Sequence, residues 1–598
     1  MQRDEAGEAV DDEKTEQTMI FLGMHTGHDA GVALFAEGEL VAYCKEERLT
    51  RKKSDGRRLL LDSVEEVFRI AGVDRSLVDA VCLTRMNLPL RYYKKTARPM
   101  RDKFRRIRGA TRSLAGEMHY LKERDESKLV REDRILEDLG LRPDAKVTFC
   151  NHHYAHILGA FRYTTWDKDA LYISADGGGD GITYSAYYYD GTTLKLVYGG
   201  DDFLFERHEK TSASVGLAYQ SVTKHLGFRP NRHEGKITGL AAYGKPVIGA
   251  DLISTFILKE DGSFDSRFED LAELEQFMFE TKGGLSKEDL AASIQYTAET
   301  VVVNWIHKLR KLYPGTRRIG MSGGVFSNVR LNQKVAELSG IEEVFVFPPM
   351  GDEGLPVGNC IHMEIETSGL AGLKRSPLPS VYLGRPYSGK DLFDEAQKQE
   401  GFTLHATESA ADAAAVLLAE NHIGAIYAPF GMEMGPRALG ARSIIASPTD
   451  RRLNDTLNER LERTEFMPFA PYVLDEDAKR VFKVGSNNWE ACRYMTITTD
   501  VEPEHQDQIP AVVHVDGTAR PQIIERTRNP LYYDIMRAFR DLSGIPCLVN
   551  TSFNAHEEPI INIPAEALAA LRDGRIDFLV CDQGLIVADE KYLKSLSI

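Results

Sequence analysis

With 598 residues the chain exceeds any single small module, and 42% hydrophobic against 27% charged residues describes a globular protein with sizeable cores, not a disordered or fibrous one. Ninety acidic and 74 basic side chains leave a formal charge of −16, so no net positive field draws the whole protein onto nucleic acid or an anionic membrane. No apolar run approaches the roughly 18 residues of a membrane span, and the acidic, polar residues 1–18 lack the basic and then apolar pattern of a secretory signal. The expectation is a cytoplasmic protein without membrane insertion, with 1–18 as a disordered acidic leader. Cys44, Cys82, Cys150, Cys360, Cys492, Cys547 and Cys581 are scattered and free of C-x-x-C pairs, which predicts reduced core thiols in place of a disulfide framework or a zinc ribbon.

In chain order, an apolar strand is predicted over 19–24, then the turn His25-Thr26-Gly27-His28-Asp29, a strand over 32–35, the hairpin Glu37-Gly38 and a strand over 40–44. The same succession returns as strand 171–175, turn Asp176-Gly177-Gly178-Gly179-Asp180, alternating strand 184–189, hairpin Asp190-Gly191 and strand 194–197. A motif used twice predicts a duplicated α/β domain with a cleft between its halves; two unrelated hairpins are the plainer alternative. Between the copies, residues 85–124 are strongly basic, beginning with Arg91, Lys94, Lys95 and Arg98. This reversal of charge reads either as a solvated helical insertion or as a dock for an anionic acceptor. Ser, Gly and Pro over 368–379 mark a linker, after which strands over 425–427 and 547–550 and a helical run over 410–419 form another α/β unit. The expected division is 19–370, a linker over 371–379, and 380–598.

The run Asn151-His152-His153-Tyr154-Ala155-His156 follows an apolar strand over 146–150 and opens a helical stretch. His152 and His156 stand four apart, so on a helix they share one face and can hold one divalent metal. Asp176 on the repeated turn and Asp352 in Met350-Gly351-Asp352-Glu353-Gly354 add carboxylates. Two His with two Asp suit iron(II), manganese or zinc with positions left open for a substrate oxygen; packing or capping histidines are the alternative. Ser322-Gly323-Gly324, directly after a strand over 318–320, either offers backbone N–H groups to phosphate oxygens or forms a ligand-free turn. Small residues over 234–244 let a helix press on a nucleotide or on another helix. Further on, Arg437 and Arg442, joined by Arg463, Arg520 and the turn Asn550-Thr551-Ser552-Phe553-Asn554, offer guanidinium forks and polar donors for a phosphorylated substrate and a nucleotide; surface salt bridges are the alternative.

Taken in this order, His28-Asp29, Glu46-Glu47-Arg48-Leu49-Thr50-Arg51-Lys52-Lys53, the histidine run, residues 234–244, 322–328, 350–354 and 435–443, Pro468-Phe469-Ala470-Pro471 and 550–554 resemble the O-carbamoyltransferases of antibiotic and nodulation-factor biosynthesis. The resemblance implies a duplicated actin-like ATPase (ribonuclease H-like) domain, similar to the tRNA threonylcarbamoyl transferases, followed by a YrdC-like α/β domain. It implies that carbamoyl phosphate and ATP give carbamoyl adenylate, pyrophosphate and phosphate in the C-terminal domain, and that the carbamoyl group then moves in the N-terminal domain to a hydroxyl of a sugar or other small molecule. Arg437, Arg442, Arg463, Arg520, Asn550 and Ser552 would hold carbamoyl phosphate and ATP, Arg520 and Ser552 as catalytic residues. Gly177, Gly178, Gly323, Gly324 and Asn328 would bind nucleotide, and His152, His156, Asp176 and Asp352 an iron(II) ion. Lys53 would contact the acceptor, and His28, whose unperturbed pKa lies near about 6.5, would take its proton. Mg²⁺ with the ATP and a homodimer are both compatible with such an enzyme; nucleic acid is not expected as a partner. Met467 stands before the Pro-Phe-Ala-Pro run where some members carry arginine.

Competing assignments each leave residues over. A tRNA threonylcarbamoyl transferase shares the N-terminal motifs but not the fused C-terminal domain or the acidic balance. The hydrogenase-maturation carbamoyltransferase carries paired C-x-x-C motifs that are absent here, and a nucleotide-switched binding or chaperone protein gives the His/Asp group and the arginines no common purpose.

Overall fold

The computed structural model describes residues 19–56, 58–59, 61–85, 88–94, 129–200, 209–281, 283–463 and 466–597; the acidic leader and most of the basic 85–124 stretch lie outside the described residues. Hairpins followed by apolar strands build two five-stranded sheets of one design. In the first, β1 (Ile20–His25), β2 (Gly31–Ala36), β3 (Glu39–Lys45), β4 (Ala80–Thr84) and β5 (Lys146–Cys150) lie in the order β3-β2-β1-β4-β5. Strands β1 to β3 form an antiparallel meander and β4 and β5 join in parallel. In the second, β6 (Ala170–Gly179), β7 (Ile182–Tyr189), β8 (Leu194–Tyr198), β9 (Arg318–Ser322) and β10 (Glu343–Val346) repeat that order and polarity as β8-β7-β6-β9-β10. The two sheets are a duplication with the ribonuclease H-like strand order of actin-like ATPases, and the two-hairpin alternative falls. All residues of β1 and β4 are buried, as strands covered on both faces require.

One boundary differs from expectation. The strand β6 runs on through Asp176 to Gly179 across an irregularity after Ala175, and the chain reverses only at Asp180-Gly181. Both of those residues have positive φ, 51° and 85°, the tight hairpin turn whose twist matches the flanking strands. The extension leaves Asp176 lying along the sheet instead of capping a loop.

The helix Leu355–Ser368 follows the second sheet in sequence but packs on β1, β2 and β4 of the first, and on the helix His152–Arg162. Its Leu355, Val357, Cys360, Ile361 and Met363 are buried, each contributing about 1.5–3 kcal/mol before entropic costs. Gly358 permits the close crossing, because a Cβ there would stand 2.0 Å from Ala155 O. This crossover draws the loop after β10 against the loop after β1.

The C-terminal sheet is mixed and eight-stranded. With β11 (Thr403–Ala406), β12 (Gly424–Tyr427), β13 (Arg442–Ala446), β14 (Ala470–Leu474), β15 (Gln522–Ile524), β16 (Cys547–Ser552), β17 (Phe578–Cys581) and β18 (Gly584–Val587), its order is β11-β18-β17-β12-β13-β16-β14-β15. The helical run over 410–419 is the helix Ala410–Ala419. Residues 373–379, within the stretch read as a linker, have no regular structure, yet Leu373 and Leu378 are buried in a core shared with β1, β2 and β4, so this connection is packed down. All seven cysteines are buried and free. Among the described residues no helix is long and apolar enough to cross a membrane.

Candidate active site

Asn151 caps the helix His152–Arg162 by accepting from Tyr154 N at 2.9 Å, a contact worth about 1 kcal/mol. The cap fixes where the helix starts and so where His152 and His156 point. Asp352 opens the turn Asp352–Gly354 after β10, and Asp176 lies on the extended β6. His152 Nε2 and His156 Nε2 face Asp352 Oδ1 at 3.4 and 3.5 Å, and His156 Nε2 lies 3.7 Å from Asp176 Oδ2. Ligand atoms of all four residues fall within 4.8 Å of one another.

Both Nε2 atoms are buried without a hydrogen-bond partner. For His156 the reason is visible. Ser322 Oγ donates to Met350 O at 3.3 Å, which leaves the hydroxyl to accept from His156 Nδ1 at 3.4 Å and turns the Nε2 lone pair toward the carboxylates. Asp176 is aimed by the Gly324 N–H, which donates to its Oδ2 at 2.7 Å. Burial pushes His152 down, against the pull of Asp352 and Asp176. Burial works to raise Asp352, but His152 and His28 outweigh it and hold the carboxyl well below its ordinary range. Imidazole nitrogens and carboxylates converging in a buried place form a donor set that fits a divalent cation. The middle histidine does not join them. His153 is bound through Nδ1 to Ser174 Oγ at 3.0 Å and through Nε2 to Ile182 O at 3.1 Å, and it packs the helix on β6 and β7.

His28 adjoins this group, its Nδ1 2.9 Å from Asp352 Oδ2, and with 38% side-chain exposure it is the member open to solvent. Asp352 raises its pKa to about 10. Sequence reasoning missed His25, the last residue of β1, whose Nε2 lies 3.5 Å from Asp352 Oδ2 and 3.1 Å from His28 O; burial lowers it to about 4. The signal was the recurrence of histidine three residues apart in His25-Thr26-Gly27-His28. Also missed was the charged support beneath: Lys45 Nζ pairs with Asp29 Oδ1 at 2.8 Å and with Glu47 Oε1 at 3.4 Å, fixing the turn that carries His28.

The nucleotide contacts expected from the resemblance need correction. Gly323 N donates to Met350 O at 2.7 Å and Gly324 N to Asp176, so these two N–H groups brace the loops and are not offered to phosphate. Gly323 has φ 100°, and a Cβ there would stand 2.3 Å from Ala175 O, which is why no other residue fits. Asn328 caps the helix Val329–Ala336 and pairs with Gln295 through its amide. Gly178 is exposed, whereas Gly177 is half-buried against Gln220 and Leu217. The helix Glu234–Ala241 presses at Gly239 on Met467, the reading in which its small residues serve packing. Beside it, a cavity of about 270 Å³ opens among Thr238, Gln295, Glu299, Arg330, His514 and Asp516.

The C-terminal residues divide. Arg463 reaches the expected turn, donating to Thr551 Oγ1 at 2.8 Å, Ser552 O at 2.7 Å and Ser552 Oγ at 3.1 Å, and Asn554 O at 2.6 Å. Half-buried Ser552 and Arg463 therefore share one locus. Asn550 is buried and gives its amide N–H groups to Ala438 O and Gln522 Oε1. Arg520 is half-buried ahead of β15. Arg437 lies apart, near the N-terminal loops, with Nη2 3.4 Å from Ser327 O. Arg442 is a correction: its guanidinium is fully buried, donates to Ala428 O, Ala441 O and Phe430 O, and stacks 3.7 Å over the Tyr427 ring. It holds β12 to β13 through its two Nη atoms, and its buried Nε has no partner. Lys53 is half-buried beside Arg232, which donates to its carbonyl. The Arg48 Nη2 bond to Gly435 O and the Arg51 bonds to Ile560 O and Pro559 O tie the short helix Glu47–Thr50 and its C-cap, after β3, to the C-terminal part.

Family models for the carbamoyltransferase N-terminus and C-terminus match residues 20–361 and 415–588. The chain belongs to the carbamoyltransferase family. Nodulation protein NolNO of Sinorhizobium fredii is 30% identical over 578 residues, 94% of this chain and 79% of that protein. Nodulation protein U of Rhizobium tropici is 26% identical over 96% of each chain, and the protein MJ1058 of Methanocaldococcus jannaschii is 33% identical over 74% of each. Full-length HypF in its phosphate- and nucleotide-bound form superposes with a TM-score of 0.32 at 15% identity, over 60% of this chain and 57% of that one; the fold assignment rests on the sheet order. The chain is thus a carbamoyltransferase, and the His/Asp convergence is the candidate place for its chemistry.

Proposed function

We propose that this carbamoyltransferase makes carbamoyl adenylate from carbamoyl phosphate and ATP at the Arg463–Ser552 turn and spends it at the His/Asp cluster on the hydroxyl of a sugar or similar small molecule. In the first step carbamoyl phosphate and water give carbamate and free phosphate, and a carbamate oxygen then attacks the α-phosphorus of ATP with loss of pyrophosphate. Arg463 and Arg520 neutralise charge on the phosphates, and Ser552 donates a hydrogen bond. In the second step the acceptor oxygen attacks the carbamoyl carbon and AMP leaves.

The observation that carries the reading is the pair of orphaned Nε2 atoms of His152 and His156 facing two carboxylates beside an exposed histidine. His152, His156, Asp176 and Asp352 would hold a divalent ion, iron(II) being the choice that suits two imidazoles and two carboxylates, and such an ion polarises a carbonyl or phosphoryl oxygen. His28 is the general base for the acceptor. That role needs Asp352 to share its charge with a cation, because Asp352 otherwise keeps His28 protonated to about pH 10. The names of the nodulation relatives favour a saccharide acceptor.

The test is incubation of iron-loaded protein with ATP and labelled carbamoyl phosphate, followed by mass analysis and then a panel of hydroxyl acceptors. Carbamoyl adenylate and pyrophosphate are expected, with label passing to an acceptor. Absence of the adenylate from folded, metal-loaded protein refutes the two-step scheme.

A further inference from the structure

Away from the His/Asp cluster, a dense group of charges lies where the N-terminal part meets the C-terminal part. Arg229 and Arg232, in the loop before the helix Glu234–Ala241, and His233 at its N-cap reach one residue of the C-terminal part, Glu557. Arg229 Nη1 and Arg232 Nη1 donate to Glu557 Oε2 at 2.6 and 2.7 Å, and His233 Nε2 donates to Oε1 at 2.7 Å. His233 Nδ1 accepts from Arg229 N at 3.2 Å, so the imidazole proton sits on Nε2. The neighbouring trio of His233, His556 and Glu557 is thus tied here by a hydrogen bond from His233 Nε2 to Glu557.

Two further features separate this group from an ordinary surface ion pair. Glu557 sits at φ 60°, a left-handed backbone that costs a non-glycine residue stability and persists only where the surroundings impose it. The cations also outnumber the carboxylate. Arg232 donates to Lys53 O, and the Lys53 ammonium feels Glu47, Glu557 and Arg463, so two arginines, a lysine and the turn-holding Arg463 gather near Glu557, with Glu47 the second acid beside the lysine. Burial works to raise Glu557, but the His233 bond and Arg232 overcome it and pull the group down to about 2.

We propose that Arg229, Arg232 and His233 form a subsite for a phosphate-class oxyanion at the seam between the two parts of the chain, and that Glu557 fills it as an internal stand-in when no such anion is bound. Guanidinium forks and an imidazole N–H take two or three oxygens of one anion. The seated carboxylate shows that two oxygens fit, and a phosphate supplies the additional negative charge that the surrounding cations call for. The source of the anion rests on the two-step reading, in which phosphate and pyrophosphate both leave the neighbouring turn; the subsite itself is tested without turnover.

Calorimetric titration of full-length protein, free of ATP, with inorganic pyrophosphate and separately with orthophosphate reads it directly. Glu557→Gln, which keeps shape and removes charge, is expected to bind at least about tenfold more tightly than the parent, and Glu557→Gly, which also relieves the backbone, is expected to do the same. A gain with both anions assigns a single phosphoryl group, and a gain with pyrophosphate alone assigns the two-phosphate anion. Adding Arg232→Gln to Glu557→Gln should abolish the gain. Unchanged affinity for both anions, or a gain that survives Arg232→Gln, overturns the proposal whatever the carbamoyl adenylate assay shows.

Discussion

The His/Asp cluster, assembled from residues far apart in sequence, and the Arg442 pocket, built within one local stretch, are both buried and charged, yet they differ in how much of their hydrogen-bonding capacity is met. In the cluster, His152 and His156 each keep an Nε2 with no partner, facing ionised carboxylates. In the pocket, Arg442 has given its terminal nitrogens to three backbone carbonyls and its face to Tyr427. A buried polar group with an unmet valence costs stability that only a ligand returns. A buried group that is already bonded contributes to the fold and has little to offer a substrate. Availability therefore separates chemistry from architecture better than residue type does.

The comparison can be broken most decisively at Asp352. Asp352→Asn keeps the size of the side chain and removes the charge that four histidines share, so carbamoyl transfer should fall by roughly 100-fold or more. Elemental analysis should show less metal per chain. Full activity with unchanged metal content would return the cluster to the class of packing residues. Arg442→Met is expected to act on the other side of the contrast. It strands the carbonyls of Ala428 and Phe430, Ala441 O keeping the Ala428 N–H, and should cost about 3 kcal/mol in urea unfolding, while the folded fraction still releases pyrophosphate from ATP and carbamoyl phosphate. A stable Arg442→Met protein that releases none would make this arginine a ligand after all. The smallest effect sharpens the contrast within a single helix. His153→Gln should lose about 1–2 kcal/mol of stability and leave the metal content intact, whereas the same change at His156 should reduce it.

Much of this arrangement was legible before any coordinates. The i, i+4 histidines share a face on any helix, and the repeated strand, turn and hairpin pointed to one unit used twice, with two unrelated hairpins left open until the sheet order was seen. Asp176 and Asp352 were legible as carboxylates in glycine-rich segments next to strands, where the loops of an open α/β sheet meet. What stayed hidden depends on partners that no local pattern reveals. His25 reads as the first residue of a turn until the crossover helix brings Asp352 beside it. Gly323 and Gly324 look like a phosphate cradle until their N–H groups are traced to Met350 and Asp176. Arg442 carries the same letter as Arg463, and only the strand pairing that buries it tells them apart.

The helix Leu355–Ser368 lies late in the chain but covers the first sheet. During synthesis, every strand of that sheet leaves the ribosome before its cover exists, so the early product exposes an apolar face that must wait for some two hundred further residues. A nascent fragment ending before Leu355 is thus expected to be a client for chaperones, and the two pseudo-repeats can mature only together.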